Sequence, residues 1–133
     1  MAAPNIVNVA TITAKTVGAA LGTNTNTSIL NNSASSNKAF KVNTILVSNV
    51  DGTNSATVTC VHNDGSNSRH IAKGITVPAG STVVLIDKNS FLYLEENHSI
   101  RAGASAASDL EILVCYEELS KCQDILGLLI LLK

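Results

Sequence analysis

Two alternating stretches around an Asp-Gly pair, between Phe40 and His62, constrain this chain more than any other feature. In the first, Phe40, Val42, Thr44, Leu46, Ser48 and Val50 share one face of a period-two strand. Lys41, Asn43, Ile45, Val47 and Asn49 share the other. Asp51-Gly52 interrupts the alternation with residues that tolerate positive φ. The second stretch, Ala56 to His62, sets Ala56, Val58 and Cys60 against Thr57, Thr59 and Val61, and Asn63-Asp64-Gly65 ends it. The pattern predicts two strands joined as a hairpin. A hairpin alone is not stable in water, so other segments must supply the layer it packs on.

Those segments follow at short intervals. Ile6 to Ala14 alternates loosely and reads as a first strand. Thr16 to Asn37 is a low-complexity run of Gly, Ala, Thr, Asn and Ser, with only Ser28-Ile29-Leu30 strand-like inside it. It reads as a surface excursion of the kind that often carries function. Arg69 to Lys73 is a short strand, and Pro78 restricts Gly74 to Gly80 to an edge or turn. Val83-Val84-Leu85-Ile86 is continuously apolar and predicts a strand covered on both faces. Phe91 to Leu94, Ser99 to Ala102 and Leu110 to Tyr116 complete about eight strands, with turns between them.

This spacing predicts an all-β fold: a single antiparallel β-sandwich of jelly-roll type over residues 1–120. Val42, Leu46, Val58, Cys60, Val83, Leu85, Ile112 and Val114 are the expected core. Residues 121–133 form a Leu-rich tail, a short apolar C-terminal segment that a helix would also suit. With about nine apolar residues, the tail falls short of the ~20 needed to span a bilayer.

Composition narrows the function classes. Only 3% of residues are aromatic, so aliphatic side chains must fill the core. Asn, Ser and Thr total 40 residues against 19 charged ones, which suits short strands and polar turns. A net charge of −1, with no Lys/Arg cluster, argues against nucleic acid as a partner. Met1 to Asn5 lacks the basic and apolar regions of a signal peptide, so synthesis in a cytosol without export or membrane insertion is expected. Cys60, Cys115 and Cys122 form no CxxC pair and read as buried, reduced thiols. Apart from Lys15 the first 37 residues carry no charge, and such β-compatible surface favours pairing with another chain.

The chemistry-bearing residues do not assemble into a site on paper. His62, Asp64 and His70 flank a turn and could meet across two strands, but a metal needs a third or fourth ligand. Cys60 and His62 point the same way on a strand without an orienting carboxylate. The adjacent pairs Glu95-Glu96 and Glu117-Glu118 diverge, unlike the facing carboxylates of a glycosidase. Gly18-Ala19-Ala20-Leu21-Gly22 lacks the lysine of a phosphate loop. The expectation is therefore no catalytic, cofactor-binding or metal-binding residue, and no enzyme.

Several stretches carry a resemblance: Ala2 to Val9, Phe40 to Ile45, Asp51 to Asn54, Val77-Pro78-Ala79, Ser81-Thr82, Leu92 to Glu96 and Ser105 to Glu118. Over about residues 1–120 the chain resembles a family of small virion structural proteins of tailed phages, chiefly marine and cyanobacterial myoviruses. The resemblance implies a decoration, cement, neck or tail accessory protein of the particle. Few charges and open strand edges predict copies of itself as partners, as a homotrimer, and the resemblance adds other virion proteins such as the major capsid or tail proteins. Members end near the equivalent of Tyr116 to Ser120, and the tail from Lys121 departs from that pattern. The alternative is a receptor- or carbohydrate-binding head of a phage fibre. That reading is weakened by having only Phe40, Phe91, Tyr93 and Tyr116 for stacking on sugars.

Overall fold

The computed structural model describes residues 9–121. The first eight residues and the tail beyond Lys121, where the expected start of the first strand, the expected C-terminal segment and Cys122 fall, lie outside the described residues. Nine strands make up the architecture. They are β1 (Val9–Ala20), β2 (Ser28–Asn31), β3 (Lys38–Asn49), β4 (Ala56–Asn63), β5 (Ser68–Val77), β6 (Thr82–Ile86), β7 (Leu92–Leu94), β8 (Ser99–Ala104) and β9 (Leu110–Lys121). No helix among the described residues is long and apolar enough to cross a membrane.

The strands form two antiparallel sheets that pack face to face as a β-sandwich, as the spacing predicts. One sheet runs β1-β9-β3-β6, with β7 also on β3; the other runs β2-β8-β4-β5. The pairings nest: β4 with β5, β3 with β6 and β7, β2 with β8, and β1 with β9. The chain is thus one long antiparallel ribbon, doubled at the β4–β5 turn and rolled until β9 meets β3 and β8 meets β4. β6 and β7 share one edge of β3, pairing with Ile45 to Ser48 and Phe40 to Val42 respectively.

The expected hairpin from Phe40 to His62 does not form. β3 and β4 are both strands, but they lie in different sheets, and the Asp51-Gly52 turn carries the chain from one layer to the other. Asn49 ties that crossing together. Its Nδ2 donates to the carbonyls of Asn54 and Val77, and its Oδ1 accepts from the Asp51 amide. The true hairpin is β4–β5, closed where the Asp64 carboxylate accepts from the Ser66 and Asn67 amides.

A β-bulge reverses the expected faces of β3. Opposite β9, Val42 pairs with Tyr116 and Thr44 with Cys115, so Asn43 is the extra residue. One extra residue inverts the alternation beyond it. Phe40 and Val42 point inward before the bulge; Ile45 and Val47, both fully buried, point inward after it. Leu46, expected in the core, instead lies on the outer face, in register with Leu113 and Val84. The core is otherwise built from the expected alternation. Val42, Ile45, Val47, Leu110, Ile112 and Val114 of one sheet face Val58, Cys60, Ile100 and Ala102 of the other. Phe40 and Tyr116 pack in a tilted arrangement, with ring centroids 5.1 Å apart.

Two further expectations are corrected. Val83 and Leu85 are half-buried against the core, but Val84 is 57% exposed. β6 is an edge strand with one open face, so its run of apolar residues serves two surfaces rather than one interior. The low-complexity stretch is not a loose excursion either. Its first residues complete β1, Leu21 and Leu30 are buried, and Gly22 and Thr27 accept hydrogen bonds from the β8 amides of Ala104 and Ala102. Gly103 is what permits this approach, because a Cβ there would lie 2.6 Å from the Thr25 Cα.

The bulge makes a prediction opposite to that of an unbroken strand. Ile45→Ala should cost about 2–5 kcal/mol through lost burial and the cavity left behind. Leu46→Ala, on the outer face, should cost about 1 kcal/mol. Urea unfolding of both variants checks the order; a larger loss for Leu46→Ala would mean that the face assignment is wrong.

Candidate interaction surface

The outer face of the first sheet is built from register. β6, β3, β9 and β1 place Val84, Leu46, Leu113 and Gly18 in one row across it. Val84 and Leu113 are 57% and 46% exposed. Gly18 makes room for its neighbour, since a Cβ there would meet the Leu113 Cδ2 at 2.9 Å. A second row runs Tyr93, Lys41, Glu117 and Ala14. Beside it Phe91 meets Tyr93 edge to face at 5.7 Å, and the Lys41 Nζ sits 4.5 Å from the Phe91 centroid. Ile12, 63% exposed, adds an apolar position at the far end.

The other sheet presents a different outer face. Its register rows there are Thr57 with Thr76, Thr59 with Gly103, Val61 with Arg101 and His70, and Asn63 with Ser99 and Ser68. Only Val61 is apolar, and it is buried. Among the described residues, the large exposed apolar side chains are therefore concentrated on the first sheet, with Val50 and Ile75 elsewhere. Large exposed apolar patches on one face mark interaction sites.

The sequence-flagged residues do not converge. In β4–β5 the register sets His62 against Arg69 and Val61 against His70, so the two histidines do not face each other. His62 meets His98 instead: its Nε2 lies 3.0 Å from the His98 Nδ1, with the rings edge to face at 4.9 Å. His98 was invisible to local spacing because β8 joins β4 only through the rolled topology. Among the described residues, no group of three His, Cys, Asp or Glu side chains is placed to hold a metal.

The remaining candidates lie apart from one another. Cys60 is fully buried, and burial pushes its thiol up to about 12, far from a reactive thiolate. The Thr16 hydroxyl lies 3.8 Å from the Cys115 sulfur. The Glu96 carboxylate accepts from the Asn37 amide at 2.6 Å, while Glu95 stays half-buried beside it. Glu118 binds two cations: Lys15 at 2.7 Å, and Lys38. These hydrogen-bonded ion pairs hold the Glu118 carboxyl below the usual carboxylate range, with Lys15 the larger cause. Gly18 to Ala20 belong to β1 and line, with Glu111 to Leu113, a shallow groove of about 350 Å³. The chain matches no protein-family model and no curated sequence.

Burial, and to a smaller extent the charge of His98, holds the His62 pKa below 6.5, against the opposing pull of Asp64 and Glu95. The native state therefore binds fewer protons than the unfolded chain. Stability should be complete above about pH 6.5 and fall as pH drops through that value. A second loss should begin below about pH 4.5, where the Glu118 carboxylate of the unfolded chain protonates. Melting temperature against pH should show both steps, with His62→Gln removing the first and Glu118→Gln the second. EDTA should leave the melting temperature unchanged; a chelator-dependent drop rescued by zinc would contradict the reading of His62 and His98 as a hydrogen-bonded pair.

Proposed function

We propose that this protein is a non-enzymatic structural component of a tailed-phage particle, assembled in the host cytoplasm. In this reading it is a capsid decoration or cement protein, or a neck or tail accessory. It works by associating with itself, as a trimer, and by docking on other particle proteins. The observation that carries the reading is the apolar row Val84–Leu46–Leu113 on one outer face of the sandwich, opposite a face of hydroxyls, amides and cations. A side chain arrangement that neither folds inward nor serves chemistry finds its use in contact with another protein. The nested strand pairing supports a jelly-roll type of sandwich, and the resemblance in sequence supports the particle setting. The high thiol pKa of Cys60 weighs against that residue as a nucleophile.

The exposed pair Phe91 and Tyr93 gives the carbohydrate-binding head one point in its favour. Lys41 sits over the Phe91 ring, however, and occupies a face on which a sugar would stack.

Light scattering should find oligomers at micromolar concentration for the full chain and for a chain truncated after Ser120. Val84→Glu with Leu113→Glu should reduce the assembly by placing carboxylates in the apolar row. A monomeric full-length protein overturns the reading. A truncated chain that alone becomes monomeric moves the contact to the tail. Binding on a glycan array that Tyr93→Ala abolishes would favour the fibre-head alternative.

A further inference from the structure

We infer that β1 is a pairing edge, and that its occupant is the β1 strand of a second copy, running antiparallel about a two-fold axis. The inference rests on the self-association proposed above and names the strand that makes one of its contacts. It comes from comparing the four sheet edges. β2 has four residues and a register shift between Ser28 and Leu30. The β6–β7 edge is broken into strands of five and three residues. β5 is long, but it carries exposed Arg69, His70 and Lys73 and bulges at Gly74, whose φ is +62°. Short strands, cations and bulges are the devices by which edges refuse a partner.

β1 has none of these over most of its length. It pairs with β9 without a shift from Thr11 to Ala20, and among the described residues no strand covers its other side. Such a strand offers a straight row of unpaired backbone donors and acceptors. Its one charge, Lys15, is drawn to Glu118 at 2.7 Å. Its side chains are otherwise Thr, Ile, Ala and Val, with Gly18, so two copies meet without opposed like charges in any register that keeps Lys15 off its own mate.

The partner follows from the same facts. A strand without charge pattern matches an equally uncharged strand, and an identical one satisfies that condition on both sides at once. Two-fold antiparallel pairing is self-complementary and closes, as an isologous contact must. It joins two first sheets edge to edge and makes their apolar outer faces continuous. Alone the contact gives a dimer; combined with a three-fold contact through the outer face, it gives six copies.

Hydrogen exchange tests this on the full chain. In a free edge strand alternate amides face solvent, whereas in a paired strand they are bonded on both sides. The peptide covering residues 11–20 should therefore protect about twice as many amides at high concentration as after dilution to the monomer. Mass photometry should count six copies, two of the proposed trimers joined through β1. Thr11→Lys with Thr13→Lys, both exposed and on the opposite side of β1 from Ala14 and Gly18, should halve the particle mass while leaving the melting temperature of the diluted protein unchanged. A chain that is monomeric at every concentration overturns the self-association itself. Oligomers whose 11–20 peptide exchanges alike at high and low concentration, and whose size ignores the lysines, overturn the β1 pairing and leave self-association standing.

Discussion

The pairing of β3 with β9 is the constraint on which the rest of the structure depends. β9 is held between β1 and β3, so its register sets which side chains both neighbours send inward. The bulge at Asn43 is what makes that register work. Without it, Thr44 and Ser48 would enter the core on the same face as Phe40, and Ile45 and Val47 would leave it. Burying a hydroxyl without a partner costs about 1–3 kcal/mol, and exposing two aliphatic side chains adds to that loss. The bulge exchanges both penalties for a single unpaired residue at a kink. The same exchange moves Leu46 outward beside Leu113 and Val84, so the interior is completed by creating an apolar row outside.

This explains which parts of the fold were legible in the sequence. Alternation and turn residues located the strands, because each strand's pattern is local. Ile112, Val114, Val58 and Cys60 fell on the inward face as read, since β9 and the first part of β4 run without an inverting bulge there. Pairing partners were not legible. Asp51-Gly52 looks the same whether it closes a hairpin or crosses between layers, and only the buried Asn49 reaching Val77 distinguishes the two. The Asn43 bulge leaves no mark either, because Thr and Ser among aliphatic residues suit either face of an amphipathic strand. His62 was legible as a candidate and His98 was not, since their separation of 36 positions closes only when β8 pairs with β4. For the interaction surface, the sequence carried half the signal. Uncharged β1 stood out, while the outer row across β6, β3 and β9 needed the registers.

The two sheets have different jobs. The second has a polar outer face and a long edge, β5, guarded by cations and a glycine bulge. The first has the apolar row, the exposed aromatics and the unguarded β1. Electrostatics reinforces the division: at the end of the first sheet Glu118 binds Lys15 and Lys38, so the one charge carried by β1 is compensated within the molecule. In the proposed self-association, contact would thereby be confined to one side, so that copies would meet in a defined arrangement rather than at random. Symmetric closure needs this restriction, because two open sides would propagate contacts instead of closing them.

Chain order bears on how an uncovered edge such as β1 would stay harmless during folding. β1 is made first, yet its neighbour β9 is made last, and their pairing joins residues as distant as Val9 and Lys121. Closing so long a loop delays the contact, and an unpaired strand in the interval is exposed to premature association. The composition of β1 answers that hazard. From Thr11 to Ala20 only Ile12 and Val17 are large and apolar; the remainder are Thr, Ala, Gly and Lys. Such a strand has little to gain by collapsing onto another unfolded chain. In the proposed pairing its attraction would lie in backbone donors and acceptors, which the register with β9 holds in one row from Thr11 to Ala20.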